Sequence, residues 1–329
     1  MTITRRALGA NVLGATALTI LAAPALQAQT AWPRRPVRVL VGFAPGGFSD
    51  LVARALSEQL TTALGQPFVV ENRSGASGTL ATDFVAKAPA DGNILLFGHS
   101  TPNAVAAALF SNLPYDPLRD MTPIAQVAVH PHLLVVPAGS PYATTAALIA
   151  AARAAPGTIP FASSGVGSVH HIACSMLAKN AGVEFLHVPY RGSAPAMADL
   201  IAGRVAFTID GVSAVAPQIA DGKLKPLAAG TLARIARFPD LTTLQEQGYG
   251  EIDAMSWVGL FGPPGLPPEI VAASIRGVDQ AMQSPAMLRL LADGGSIAAN
   301  RRGDEFRAFI ALEIERYKAV LGDGKITLD

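Results

Sequence analysis

The sequence predicts an α/β protein made of two units, each with mainly parallel sheets flanked by helices. Three observations carry that expectation. From Trp32 onward, strand-like apolar runs alternate with helix-periodic segments, the order that places crossover helices between parallel strands. The stretch VRVLVGFAPGGFSD, residues 37–50, sets a buried strand, a Pro-Gly-Gly turn and a helix start in succession, and a similar unit recurs over 159–170. The chain has 329 residues, half of them hydrophobic, enough for two domains of ordinary size.

Val39, Leu40 and Val41 begin the first unit as a strand. Leu51, Ala55, Leu56, Leu60 and Leu64 then recur at helical spacing until Gly65 and Pro67 stop the helix. A short strand over 68–70 leads through the glycine-rich loop 72–78 into a helix over 79–87. Asp91-Gly92 turns the chain into a strand over 94–97, and the loop Gly98-His99-Ser100-Thr101-Pro102-Asn103 opens another helix. Pro114, Pro117 and Pro123 mark an irregular crossing.

The second unit starts near His132 with a strand over 133–136, and Thr144 caps a helix that ends at Pro156-Gly157. A strand over 159–162 runs into the loop 163–168 and a helix over 169–180. The run 185–188 leads to Pro189-Tyr190-Arg191-Gly192 and a helix over 194–203, and a strand over 205–209 ends at Asp210-Gly211. Residues 227–229 form a further strand candidate, and MSWVGLFGP reads as a strand before Pro263-Pro264-Gly265. Helical patterns over 268–282, 285–292 and 304–321 close the chain.

Composition excludes several classes. Only 15% of the residues are charged and the formal net charge is +1, with no Lys/Arg block, so nothing supports nucleic-acid binding. The single cysteine, Cys174, excludes an internal disulfide framework and a multi-cysteine metal cluster, and its helical setting reads as a buried inert thiol. Arg5-Arg6 followed by an alanine-rich apolar run reads as a secretory signal over 1–28, with cleavage near Ala25 or Ala28. Without that segment the net charge is −1. The run is short for a membrane span, and the expected mature protein is soluble, exported and periplasmic.

Catalytic and cofactor motifs are absent. Gly167-Ser168-Val169-His170 sets a serine near a histidine, but not as a G-x-S-x-G elbow, and neighbours on one helical turn make a poor nucleophile–base pair. His170 and His171 are adjacent and face different directions, unlike metal ligands at i, i+4. No dinucleotide or P-loop glycine pattern occurs. No cofactor and no metal are expected.

What recurs is a strand, a small-polar loop and a helix N-terminus, at 44–50, 98–103, 163–170 and 190–194. The first turn of a helix leaves N–H groups unpaired and carries partial positive charge, and glycine lets a ligand approach the main chain. Each serine or glycine also reads as a cap or turn residue. Four such loops together point to a cleft that holds an anion through neutral donors.

The chain resembles the Bug-type solute-binding receptors of tripartite tricarboxylate transporters. The resemblance rests on WPRRPVRVLVGFAPGGFSD, LGQPFVVENRSGASG, APADGNILLFG, NLPYDPLRDMTPIA, PGTIPFASSGVGSVHHIA, HVPYRGSAPAMADLIAGRVAFTID and WVGLFGPPGLP, in that order. It implies two domains of the type II periplasmic binding-protein architecture, 29–130 with 251–329 and 131–250, with crossings near 126–132 and 248–256 and a ligand cleft between them. It implies capture of a small organic acid by a monomer that delivers it to integral membrane transporter subunits. Gly46, Gly47, Phe48, Ser49 and Asp50 are expected to contact the ligand from domain one, with Ser100, Thr101 and Asn103 in a loop that varies in the family. Ser163, Ser164, Gly167, Ser168 and His170 are expected to contact it from domain two, with Tyr190, Gly192 and Asp210 near the cleft floor. Ser74, Ser77 and Arg191 depart from the residues usual in the family. A ligand-presenting subunit of a membrane sensor and an exported hydrolase are the competing readings.

Overall fold

The computed structural model describes residues 32–321, so the export segment expected over 1–28 lies outside the described residues. The first strand, β1 (Val37–Val41), is buried except at Arg38. It pairs in parallel with β2 (Phe68–Asn72) on one side and β3 (Ile94–His99) on the other. The connecting helix α1 (Phe48–Leu64) buries Val52, Ala53, Leu56 and Leu60 and stops at Gly65, whose φ of 72° is left-handed. Helix α2 (Thr79–Ala86) returns the chain to β3. After β3, a wide single turn (Thr101–Val105) and α3 (Ala106–Leu109) replace the longer helix that the sequence suggests.

The strand β4 (Thr122–Pro137) is 16 residues long. Sequence reading divides this stretch into a crossing marked by Pro123 and a separate strand starting near His132. The structure keeps it continuous and absorbs Pro123 with a register shift. Beyond it come α4 (Thr145–Ala154), β5 (Pro160–Ser163), α5 (Val169–Ala181), β6 (Leu186–Pro189) and α6 (Ser193–Ile201). Then follow β7 (Thr208–Gly211), α7 (Val212–Ala220), β8 (Leu224–Ala229) and β9 (Met255–Gly262). The chain closes through α8 (Pro268–Ala281), α9 (Pro285–Asp293), β10 (Ile297–Ala298) and α10 (Gly303–Leu321).

β4 serves two sheets in succession. As far as Pro131 it runs antiparallel to β9 and continues a first sheet ordered β10-β4-β9-β3-β1-β2. From His132 it runs antiparallel to β7 and β8 in a second sheet, which the parallel pair β5–β6 extends through a bridge from Phe161 to Phe207. Parallel pairing therefore holds at β1–β2, β1–β3 and β5–β6, whereas β4, β9 and β10 pair antiparallel. The sheet is mixed because the chain crosses between its halves on extended strands, not on helices.

Helices cover the faces of both sheets. On one side of the first sheet, Val39, Val41, Leu95 and Val258 pack with Leu56 and Leu60 of α1, Val278 of α8 and Leu291 of α9. On the other side, Trp257 and Phe261 meet Phe306 of α10 edge-on or tilted, with centroids 5.4 and 5.1 Å away. In the second sheet, Leu133 and Val135 pack with Leu200 of α6 and Val212 and Val215 of α7.

Candidate functional site

Several helices begin at strand ends beside one small cavity of about 40 Å3, room for a few waters. Phe48 and Ser49 reach it from the start of α1, His170 from α5, Ser193 from α6, and Ser213 and Ala214 from α7. Helices α1, α6 and α7 start after Gly47, Gly192 and Gly211, and none of these N-termini has a side-chain cap. The first-turn N–H groups of three helices are thereby left to other partners. Helix α5 differs, since Ser168 Oγ accepts a hydrogen bond from His171 N at 3.2 Å. Among the described residues, no lysine or arginine lines the cavity.

Four of the chain's six histidines line it as well: His99, His130, His132 and His170. His130 stacks on Phe48 at 3.8 Å and 8°, and its ring meets that of His132 at 5.6 Å. His132 in turn meets His170 at 4.9 Å, and His99 sits edge-on to Phe43 at 5.2 Å. Hydrogen bonds fix most of these rings. His130 lies 2.8 Å from Ser296 Oγ and 3.1 Å from Ser213 Oγ, and His132 donates from Nδ1 to the carbonyl of Ala254 at 2.7 Å. His99 Nδ1 accepts from Thr101 N at 3.1 Å, which puts its proton on Nε2.

The histidine environment is strongly desolvating. Burial, reinforced by the neighbouring imidazoles, lowers His99 to about 3 and holds His130 well below its ordinary value. Burial and His170 also lower His132 to about 3, against the opposing pull of Asp210. These rings are neutral at physiological pH, so the cavity wall presents neutral donors and acceptors.

Asp210 is buried at the end of β7. Its Oδ2 accepts from Ser193 Oγ at 2.5 Å, its Oδ1 accepts from Gly211 N at 2.6 Å, and His170 Nε2 lies 3.4 Å from Oδ1. His170 Nδ1 and Ser256 Oγ, both buried beside the cavity, have no hydrogen-bond partner among the described residues.

Of the residues singled out from sequence, Gly47, Phe48, Ser49, Ser164, His170 and Asp210 line this cavity. The others lie behind it or to its side. Asp50 is fully engaged: Gly46 N donates to Oδ2 at 3.0 Å, Asn72 Nδ2 donates to Oδ1 at 2.9 Å, and Arg54 bridges both oxygens. Burial opposes its charge, but the bonds from Arg54, Gly46 and Asn72 outweigh it and keep the carboxyl below its usual value. Asp50 thus braces the loop and offers no open oxygen to an ammonium group. Ser100, Thr101 and Asn103 are buried around His99, and Asn103 Nδ2 donates to the carbonyl of His99 at 2.9 Å.

Ser163 Oγ lies 2.6 Å from His187 Nε2, behind the loop. Gly167 N donates to His171 Nδ1 at 3.2 Å, and Ser168 is the cap already described. Tyr190 Oη donates to Asp199 at 2.8 Å. Gly192, with φ of 127°, packs where an added Cβ would come within 3.4 Å of Ala44 N.

A sequence model of the tripartite tricarboxylate transporter family receptor matches residues 52–325. The chain belongs to that receptor family. The protein BugT of Bordetella pertussis is 38% identical over 291 residues, 88% of this receptor and 89% of BugT. Among solved structures, MatC of Rhodopseudomonas palustris with bound malate superimposes with a TM-score of 0.84 at 32% identity, covering 88% of this receptor and 99% of MatC. A second R. palustris protein, solved with adipate, gives 0.84 at 34% identity over 88% of this receptor and 97% of that chain. The receptor has the periplasmic binding-protein fold.

Sequence reading named none of His99, His130, His132, Ser193, Ser213 and Ser256 as contact residues of this receptor, although His99 and Ser193 lie in the small-polar loops 98–103 and 190–194 that it singled out. A signal was present for two of them. His130 and His132 are two apart on an extended segment, so both project from one face of the strand.

Proposed function

We propose that this receptor captures a small organic acid, a carboxylate, in the cavity between its two sheets and delivers it to the integral membrane subunits of a tripartite tricarboxylate-type transporter. The observation that carries the reading is the set of three helix N-termini, α1, α6 and α7, that begin at the cavity without side-chain caps. Hydrogen bonds to a charged group are worth about 1.5–3 kcal/mol each, so a few neutral donors can hold a carboxylate without an ion pair. The acids bound by the two R. palustris relatives, malate and adipate, support the same class of ligand.

In this reading the chain forms two domains, 29–130 with 251–329 and 131–250. They meet where β4 changes sheets at Pro131–His132 and where the chain returns near Asp253 and Ala254. The domains rotate apart for entry and close on the ligand, whose contacts to both sides favour the closed state. The receptor works as a monomer in the periplasm after cleavage near Ala25 or Ala28. It holds the acid without chemistry, in keeping with the receptor family to which the chain belongs.

A thermal-shift screen of small mono-, di- and tricarboxylates tests the reading, because a ligand of the native state raises Tm by mass action. At least one acid should raise Tm and bind in calorimetry with one site per chain. Unchanged Tm across the panel, or turnover of a bound acid, would overturn it.

A further inference from the structure

A second and far larger hollow, a groove of about 790 Å3, lies beside the point where β4 changes sheets. One wall is the run 231–237 that follows β8, and the other is the run 292–297 from the end of α9 into β10. Its lining is mostly apolar, with Leu232, Ile235, Met255 and Ile297 prominent. Leu232 keeps 50% of its surface in water and Ile297 keeps 60%. Leu288, one turn before Ala292 on α9, is also exposed and prolongs the apolar strip. Large apolar side chains left bare side by side, rather than scattered singly, mark an interaction surface.

Of the charged residues that line the groove, one is left over. Arg234 is taken by Glu246 at 3.0 Å, and Asp253 faces Arg316 at 3.6 Å. Arg237 is exposed and, among the described residues, has no acidic partner. A surface complementary to this groove therefore presents large apolar side chains beside a carboxylate.

The groove and the ligand cavity share a wall. Ser296 lines the groove, and its Oγ lies 2.8 Å from Nδ1 of His130, which lines the cavity and stacks on Phe48. The run 231–237 belongs to the proposed second domain and 292–297 to the first. They meet closely, since a Cβ added at Gly295 would stand 3.5 Å from Cδ of Arg237. Rotation of the domains reshapes a groove built this way, so a partner seated in it contacts both domains and distinguishes the closed receptor from the open one. Resting on the transporter reading above, we infer that this groove docks the transporter's integral membrane subunit, through a periplasmic segment that offers apolar side chains to Leu232 and Ile297 and a carboxylate to Arg237.

Uptake in a strain deleted for the receptor and complemented with variants tests the inference, using as radiolabelled probe the acid that binds most tightly in the thermal-shift panel. Leu232→Asp, Ile297→Asp and Arg237→Glu should each lower uptake about tenfold or more, as loss of an interface anchor does. Their calorimetric Kd for the acid should stay within about twofold of wild type, because these side chains lie outside the cavity. A benzophenone amino acid in place of Leu232 should crosslink in whole cells to an integral membrane protein, and Arg237→Glu should remove that adduct. Wild-type uptake in all three variants, a Kd weakened as much as uptake, or an adduct with a second copy of the receptor alone would overturn the inference and leave the transporter reading standing. A wild-type receptor that binds the acid yet restores no uptake would overturn both.

Discussion

The hydroxyl of Ser77 donates to the carbonyl of Val166 at 2.5 Å, joining the turn after β2 to the loop after β5. Ser77 holds a φ of 53°, in the left-handed region where a side chain is strained, and its Oγ would lie 2.5 Å from a Cβ added at Gly165. One sheet's loop is thus tied directly to the other's beside Ser164.

In the proposed two-domain reading, that tie favours the closed arrangement. Ser77→Gly removes the bond and relaxes the strained backbone, so the ligand-free protein should open further. Small-angle scattering should show a larger particle than wild type without ligand. Affinity should fall about fivefold for a bond worth about 1 kcal/mol. Equal size and equal affinity would show that the bond does not bear on closure.

Gly211 faces His130 so closely that a Cβ there would lie 2.0 Å from the ring Nε2. Its φ is ordinary, so the demand is for space and not for backbone freedom. Gly211→Ala should push His130 off Phe48 and away from Ser213, costing about 1–3 kcal/mol of stability as overpacking does. Urea denaturation measures the loss, and a midpoint equal to wild type would show that the ring moves aside freely.

Acid should destabilise the ligand-free protein well before its carboxylates titrate. His99, His132 and His171 are lowered to about 3 and His187 to about 4, each chiefly by burial. In the unfolded chain they titrate near 6.5, so below that pH the unfolded state binds more protons than the native one. Stability is full above about pH 6.5 and is lost as pH falls toward the lowered values, by about 1.4 kcal/mol per pH unit for each such group. Urea midpoints between pH 7.5 and 5 should fall steadily. A flat profile would mean that these rings are already charged in the fold.

Backbone and hydroxyl donors should matter more than the nearby cation. Arg191 is exposed and does not line the cavity. Arg191→Gln should change affinity by less than about twofold, in keeping with a solvated surface charge. Gly47→Pro removes an N–H at the start of α1 and constrains Gly46, whose φ is 85°; Ser164→Ala removes only a hydroxyl. Both should weaken binding by tenfold or more in calorimetry on folded protein. The reverse order would make Arg191 the anchor.

The alternation of strands and helices was legible because apolar periodicity and Gly/Pro stops act locally, as at Leu56, Leu60 and Gly65. Helix α7 is not among the sequence-read helices, and it carries Pro217 inside it, yet it persists with Val212 and Val215 packed on the second sheet. The small-polar loops were legible as a class: Gly47, Ser49 and Ser164 reach the cavity, as do His170 and Asp210. The rest of the wall was hidden because its members meet only in three dimensions. His99, His132 and Ser256 come from strands that pair across long stretches of chain.

The shared strand β4 also dictates an order of assembly. The second sheet is closed by one continuous stretch of chain, from His132 on β4 to Ala229 on β8. The first sheet waits for β9, whose Phe261 must find Leu96 on β3. A growing polypeptide therefore holds a finished half and an unfinished one, with the edge of β3 bare until residues 255–262 have emerged. Substitutions that slow the docking of β9 will be felt first as aggregation during synthesis, in a protein whose folded form still recognises its ligand.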